Sequence, residues 1–403
     1  MALAPSLVPP LSSPIPVSSH VRRRVTRRRF IEENKVLSQN QEPPPGLTEK
    51  HITDRLVPAP ALTLHSNELL PRHYLAVENH RLYPFTVDAK PLFDHYVRHI
   101  PTPLSDYTFA NNIIWLSQKS GFYQIIEDCF CLFSLNGHCL TMLLPPLGKP
   151  VHQVAALDAC FRIMDGYNPT PYLSAVEYVY RDFANLLEAS HDRWLIERSL
   201  PDYIYRTEDL IQLRGNAYKT KRGEINQFRR VHPDYRLERL GPQHADGIRG
   251  LIDTWLRNRL QYMSGDAIAD FFYTVEQERR AIERALTHYD TLGLKGLCLF
   301  INERLEGFTF GERIAADVAN VLVEKTNFTI PGSAQFLFRE FVKEFTDCTF
   351  INVGDDLGLE NLRRVKMSYR PALFGEKISL RRAGMHECRE RQDVESDRHI
   401  APV

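Results

Sequence analysis

At 403 residues the chain has room for two domains, and its composition is that of a globular protein: 43% hydrophobic, 25% charged, formal net charge +0. That balance excludes a polycation built for nucleic acid, so any such contact needs a local basic patch. No apolar run approaches the ~18 residues that span a bilayer, and seven cysteines without a CxxC pair argue against a disulfide scaffold and for a reducing, cytoplasmic setting.

Residues 1–75 are dense in Pro, Ser and Arg and are expected to form a disordered tail outside the fold. Prolines 5, 9, 10, 14 and 16 forbid a continuous helix, and Arg22–Arg24 with Arg27–Arg29 follow the apolar start, the reverse of a secretory signal. The lack of acids before Glu32 is shared with organelle transit peptides; a polybasic arm for RNA or anionic lipid is the functional alternative. The first folded half is assigned to 76–214. It starts near Tyr83-Pro84-Phe85, with a helix around Leu92–His99 and the segment Tyr107–Trp115. Strands follow at Phe122–Ile126, Cys129–Leu135 and Cys139–Leu144, the last two joined by an Asn136-Gly137 hairpin turn. Val151–Met164 reads as a helix, Ala175–Tyr178 as a strand and Phe183–Ala189 as a helix.

A basic helix over 215–233, ended by Pro233, is expected to connect the halves. The second half, 234–382, shows a strand at Tyr235–Leu240, a helix at Pro242–Leu260, a charged helix at Ala267–His288 and a hairpin of Leu294–Ile301 with Leu305–Glu312. After it come a strand at Val318–Val323, a helix at Gly332–Phe345, a strand at Phe350–Val353, a helix at Leu359–Ser368 and one final strand at Ala372–Leu380. Residues 383–403 read as a flexible tail.

Several words in the second half carry chemistry. On the basic helix, Lys219, Arg222, Asn226, Arg229 and Arg230 fall within an arc of roughly 100°, beside an apolar face of Tyr218, Ile225 and Phe228. Such cations hold phosphate, Lys as a point charge and Arg as a bidentate fork, or simply form a solvated face. Lys221 lies nearer the apolar side, where its stem can snorkel. Asp355 and Asp356 precede a helix; carboxylates there cap backbone N–H groups, and one of the two is the candidate to orient or deprotonate an attacking amine or hydroxyl. Arg363 and Lys366 border the Leu359, Leu362, Val365, Tyr369 stripe and are candidates to position a carboxylate or carbonyl. Tyr369 is either core or a proton donor to a leaving hydroxyl. Glu324, beside Lys325 at a strand end, is a second base candidate or half of a surface ion pair. Cys129, Cys131, His138 and Cys139 bracket one hairpin but do not converge as four zinc ligands require, so core thiols are expected and no metal. The absence of GxSxG, P-loop and HExxH words counts against common hydrolases, nucleotidases and zinc proteases.

The element order of the second half is similar to the Gcn5-related N-acyltransferase (GNAT) fold. Tyr203-Ile-Tyr-Arg-Thr-Glu-Asp-Leu, Gly215 with Lys219-Thr-Lys221-Arg222 and Asn226-Gln-Phe228, Asn352 with Asp355-Asp356-Leu-Gly358-Leu, and Leu362-Arg363-x-x-Lys366-x-x-Tyr369-Arg-Pro371 extend the likeness. With Tyr107-Thr-Phe-Ala-Asn, Trp115 and Pro145-Pro146-Leu-Gly148, they resemble soluble bacterial proteins related to the C-terminal domain of phosphatidylglycerol lysyltransferases. The resemblance spans about Tyr83 to Leu380. It implies an α+β fold of two tandem GNAT-like halves with mixed sheets flanked by helices, as in Fem-type transferases. It also implies transfer of an acyl or aminoacyl group from a phosphate-bearing donor, acyl-CoA or aminoacyl-tRNA, to an amine or hydroxyl on a small molecule, peptide or lipid headgroup.

No permanently bound cofactor is implied. In that reading Asp355, Asp356, Glu324 and Tyr369 are catalytic, and Lys219, Lys221, Arg222, Asn226, Arg229, Asn352, Arg363 and Lys366 bind substrate, in a cleft between the halves or within the second. The helix at Gly332 stands where acetyltransferases bind pyrophosphate but lacks their Gly-x-Gly pattern, which counts against acetyl-CoA. The alternative is a non-catalytic module for RNA, anionic lipid or an acidic partner, in which Asp355 and Arg363 would be closed off and the basic surface would face outward. The acceptor, the transferred group and the oligomeric state are not fixed by the residues.

Overall fold

A computed structural model of the chain describes residues 56–58, 73–188, 192–260 and 267–383. The expected tails fall largely outside these residues. Leu56–Pro58 (β1), however, pairs with His73–Val77 (β2), so ordered structure begins before residue 76. The chain forms two compact units. One comprises Leu200–Gly375; the other holds the described residues up to Ser199 together with those from Glu376 onward.

The N-terminal unit continues with His80–Pro84 (β3), Gly121–Ile126 (β4), Cys129–Asn136 (β5), Cys139–Met142 (β6), Val176–Tyr180 (β7) and Trp194–Arg198 (β8). Its helices are Lys90–Val97 (α1), Phe109–Trp115 (α2), Pro150–Tyr167 (α3) and Arg181–Glu188 (α4). Tight turns set the register: Glu127 and Asp128 both take left-handed φ between β4 and β5, and Gly137 does so between β5 and β6, where Asn136 pairs with Cys139. Phe85, Phe93, Phe109 and Phe130 meet edge-on or tilted in the core. Cys129 and Cys131 are buried among them as core thiols, burial pushing the Cys129 thiol up to about 12, while His138 is exposed at the turn.

The C-terminal unit opens with Asp202–Arg206 (β9), Thr207–Gln212 (α5) and the basic helix Lys219–Val231 (α6). It continues with Arg236–Arg239 (β10), Ala245–Leu260 (α7), Ala267–Thr287 (α8), Tyr289–Leu292 (α9), Lys295–Ile301 (β11), Arg304–Ala315 (β12) and Val318–Thr326 (β13). Ser333–Val342 (α10), Phe350–Asn352 (β14), Glu360–Ser368 (α11) and Leu373–Gly375 (β15) complete it. The last strand of the chain, Lys377–Arg382 (β16), belongs to the other unit. The expected α+β architecture of two mixed sheets flanked by helices is therefore what the chain adopts.

The two sheets run β1-β2-β3-β4-β5-β6-β7-β16-β8 and β10-β11-β12-β13-β14-β9-β15. Among the described residues each has one parallel pair, β6 with β7 and β13 with β14, bridged by a crossing helix as parallel neighbours require. Beyond that pair the pattern is reciprocal. β9, at the middle of the chain, lies between β14 and β15; β16, near its end, lies between β7 and β8. Each sheet takes its penultimate strand from sequence that a linear cut would assign to the other half. Three expectations are corrected by this pairing. The 76–214 and 234–382 boundaries do not delimit the units. The helix over 215–233 is not a connector but an internal helix of the C-terminal unit, packed through Phe228 on Phe336 with ring centroids 4.8 Å apart. The expected single strand Ala372–Leu380 is two strands in two sheets, because the chain leaves one sheet at Gly375 and enters the other at Lys377.

Glycine matters at one close approach. A Cβ on Gly311 would lie 1.9 Å from the Asn320 carbonyl oxygen. Only glycine permits the irregular register there, where Phe310 faces Val323 but Gly311 faces Val321, leaving Leu322 as the extra residue of a β-bulge.

Candidate active site

The parallel pairing of β13 with β14 covers Val318 to Asn320 and ends there, while β13 runs on to Thr326. Beyond Asn320 the two strands part. The bulge at Leu322 lies just past this fork, two residues beyond the last paired rung. In the N-terminal unit the chain past β6 continues along β5, where Leu147 exchanges two backbone bonds with Phe130, of 2.8 and 2.9 Å. Buried Gln153 donates to the Pro146 carbonyl and accepts from Tyr180 Oη.

Alternation along β13 puts Thr326 and Glu324 on the face covered by α10 and Lys325 on the other. Lys325 is buried there against the Trp255 ring, 3.8 Å away, and donates to Glu278 at 2.8 Å. The expected surface ion pair of Glu324 with Lys325 is thus not formed; both are buried, on opposite faces. Glu324 is 4% exposed, and neither carboxylate oxygen has a hydrogen-bond partner among the described residues. Burial raises its pKa from the ordinary carboxyl value to about 8.

Two more polar groups share that layer. Tyr369, just past α11, is buried with its hydroxyl unbonded. Burial pushes its phenol well up, and the Glu324 and Glu224 carboxylates push it further. Lys221 on α6 lies over the Tyr369 ring, Nζ 4.6 Å from the centroid and 3.8 Å from Glu224 Oε2. Burial lowers the Lys221 pKa, against the opposing pull of Glu224. Asn320, at the last paired rung, faces the other side of the sheet opposite Glu312, because the bulge at Leu322 shifts the alternation; its buried Nδ2 has no partner among the described residues.

The side chains that fix this layer are satisfied. Tyr205 Oη donates to the Lys366 carbonyl at 2.9 Å and Tyr218 Oη to the Tyr369 carbonyl at 3.1 Å, anchoring the end of α11. The Phe338 and Tyr369 rings stand edge-on, 5.2 Å apart. Gly332, the N-cap of α10, has φ +81°, and a Cβ on it would lie 2.3 Å from the Glu224 carbonyl oxygen. That contact sets how closely α10 approaches the helix carrying Lys221. Gly332→Ala is expected to cost about 3 kcal/mol, from left-handed strain plus the clash, read as a lower urea midpoint at unchanged m-value.

The acidic turn plays a different part from the one expected. The N-cap of α11 is Leu359, with no side-chain cap bond. Asp355 Oδ1 accepts from the Leu357 N–H at 2.9 Å and Asp356 Oδ1 from the Gly358 N–H at 2.9 Å, so the carboxylates close two successive Asx turns ahead of the helix. Buried Asp356 Oδ2 also accepts from Tyr203 Oη at 2.7 Å and Arg363 Nε at 2.8 Å. Burial works to raise the Asp356 pKa but is outweighed by these donors, and the net shift is downward. Burial and then the bond to Asp356 push Tyr203 up to about 12.

Asp356→Ala removes an acceptor shared by three donors and should cost about 3 kcal/mol in thermal unfolding at neutral pH. The sign with pH follows from the lowered carboxyl. The wild-type advantage is present above the ordinary Asp range and disappears as pH falls through the depressed folded value.

Lys366 is buried, and its ammonium donates to the carbonyls of Val353 at 2.6 Å, Gly354 at 3.1 Å and Asp355. It braces the loop from inside, so its expected role at a substrate carboxylate is replaced by a structural one. Asn352 likewise donates to Asp202 at 2.8 Å and accepts from the Gly354 N–H at 2.7 Å. Arg222 donates to the carbonyls of Leu213 and of Gly215, the latter at 2.7 Å, fixing the turn before α6. Lys219, Asn226 and Arg229 are exposed, and Arg229 donates to Tyr235 Oη at 3.4 Å.

Of the residues singled out from the sequence, the structure therefore brings Glu324, Tyr369 and Lys221 together. It places Asn352, Asp355, Asp356, Arg363 and Lys366 along the strand–turn–helix of β14 and α11, away from that layer. Sequence reasoning missed Glu224. It is the one acid in an otherwise basic helix, and that was its signal.

The family described as phosphatidylglycerol lysyltransferase, C-terminal, matches residues 98–379. The chain belongs to this family. Membership marks it as an acyl- or aminoacyl-transferase type of domain. A search of curated proteins found no match. Among solved structures, a conserved protein of unknown function from Bacteroides thetaiotaomicron is 25% identical, with a TM-score of 0.64 over 75% of this chain and 99% of that one. The C-terminal domain of a putative lysylphosphatidylglycerol synthetase from Agrobacterium fabrum is 12% identical, with a TM-score of 0.54 over 77% and 96%. L-PGS from Bacillus licheniformis is 13% identical, with a TM-score of 0.52 over 73% and 92%. At these identities the last two likenesses speak for the fold. Among the described residues of this family member no helix is long and apolar enough to cross a membrane.

Proposed function

We propose that this chain transfers an acyl or aminoacyl group from a phosphate-bearing donor to an amine or hydroxyl, and that the reaction takes place at the fork between β13 and β14. The observation that carries this reading is Glu324, a buried carboxyl with both oxygens unbonded beside the place where the sheet opens. An unsatisfied buried acid costs stability, and a carboxyl whose pKa lies close to the working pH is suited to accept a proton. In the proposed step the nucleophile gives its proton to Glu324 and its nitrogen or oxygen bonds to the carbonyl carbon. Backbone N–H groups of β13 beyond Asn320 take the developing oxyanion. The bond to the donor's oxygen or sulfur breaks, and Tyr369 supplies the leaving group's proton, which Glu324 then restores. Exposed Lys219 and Arg229 on α6 are the cations offered to donor phosphate.

The test is turnover of bulk tRNA charged with labelled amino acids, and in parallel of acetyl-CoA, with phosphatidylglycerol vesicles or a soluble primary amine as acceptor. Wild-type protein should move label from one donor class, and Tyr369→Phe should slow it roughly 10-fold to 100-fold, in the range of a general acid, with folding unchanged. Binding of a donor without any turnover would favour a second reading, a non-catalytic module for RNA, anionic lipid or an acidic partner. That reading draws support from the paired Asp356 and Arg363 and the outward Lys219, Arg229 and Arg230.

A further inference from the structure

The polar groups around Glu324 are unbalanced in a way that bears on what enters. Glu324 Oε1 and Oε2, Glu224 Oε2 and the Tyr369 hydroxyl are all buried without a hydrogen-bond partner. The cation facing them from α6 is Lys221, which sits with Glu224 and over the Tyr369 ring. From the other elements packed on this layer, Tyr205 on β9 is committed to the Lys366 carbonyl and Arg339 on α10 to the Ile211 carbonyl at 2.7 Å. Thr309, opposite Glu324 on β12, donates to the Val323 carbonyl at 3.0 Å. Lys325 and Glu278 are paired on the far face of the sheet. Both Glu324 oxygens are therefore left without a donor among the described residues, with the aromatic side chains of Tyr369 and Phe338 alongside. A hydroxyl would bring one donor; a primary ammonium brings three and a charge that both a carboxylate and an aromatic face attract.

We propose that Glu324 and Tyr369 form a binding site for a primary ammonium group, and that the ammonium takes the place of the proton held by Glu324 in the empty site. The inference deepens the transferase reading and rests on it for the site's purpose. The bound ammonium is then poised to give a proton back to Glu324 and leave a neutral amine. The group could belong to an amine acceptor or to the α-position of an aminoacyl donor. In either case Lys221 stays with Glu224, and the displaced proton leaves to solvent.

Isothermal titration of the full chain with ethanolamine, lysinamide and glycerol, at about pH 7 in two buffers of different ionisation enthalpy, tests the proposal. At least one amine should bind with release of close to one proton per site, and its apparent affinity should rise about tenfold per pH unit on the acid side of the Glu324 transition. Glycerol should not bind. Equal binding of both amines assigns the site to an amine acceptor; binding of lysinamide alone assigns it to an aminoacyl donor. Glu324→Gln, expected to fold at least as stably as wild type, should abolish proton release and weaken binding more than 30-fold, about 2 kcal/mol. Tyr369→Phe should weaken it several-fold with proton release kept. Failure of both amines to bind, binding without proton release, or a preference for glycerol would overturn the proposal. Proton-linked amine binding without turnover of any donor would remove the transferase reading and leave the ammonium site standing; turnover without such binding would do the reverse.

Discussion

Replacing Glu324 with glutamine should make the protein more stable in alkali and leave it nearly unchanged in acid. Glu324 carries a carboxyl raised by burial to about 8. A carboxyl raised in the folded state binds its proton more tightly there than in the unfolded chain. The folded state is then favoured below the ordinary carboxyl range and loses that favour as pH rises through about 8. Above that point the wild-type chain carries the whole penalty, on the order of 5 kcal/mol at ~1.4 kcal/mol per pKa unit. Glutamine keeps the shape without the charge. The variant's thermal midpoint should exceed wild type by roughly 10 °C at about pH 9 and match it within about 2 °C at about pH 5. Equal midpoints across the range would mean that Glu324 is solvated or paired in solution.

Ending the chain at Gly375 should unfold the N-terminal unit and spare the C-terminal one. The deletion removes β16 from between β7 and β8, with buried Ile378 and Leu380. It also removes Lys377, whose buried ammonium donates to Asp106 at 3.0 Å, and Glu376, which pairs with Arg181. Two aliphatic side chains at ~2 kcal/mol each, the lost Lys377–Asp106 pair and two broken ladders exceed what a domain of typical stability, about 5–15 kcal/mol, can lose. Hydrogen exchange should show β7 and β8 amides without protection and β11 to β14 amides as in wild type. Wild-type protection in β7 and β8 would contradict the strand exchange.

The legibility of the chain divides along physical lines. Elements bounded by strong local signals were readable: the Asn136-Gly137 and Asn302-Glu303 hairpins, the Gly332 helix start and the strand–turn–helix of Phe350 to Ser368. Strand exchange was not, because β9 and β16 look like ordinary short strands and their partners lie far off in sequence. The acidic turn drew attention because its charges are adjacent in sequence, yet those charges largely satisfy one another and the backbone. Glu324 was named only as an alternative base, since burial without a partner leaves no local mark. Lys221 was placed near the apolar side by helical periodicity, correctly, but whether its ammonium reached solvent depended on Tyr369, 148 positions further along the chain by the numbering.

The central claim is that Glu324 handles the proton in a transfer reaction at the fork, and its most direct test is the pH dependence of the single-turnover rate. With whichever donor proves active, the wild-type rate should climb with pH and level off near the Glu324 transition at about 8. The Glu324→Gln rate should be flat over the same span and about 100-fold to 10,000-fold lower, the range of a lost general base. A Glu324→Gln protein that transfers at the wild-type rate with the wild-type pH profile would contradict the account.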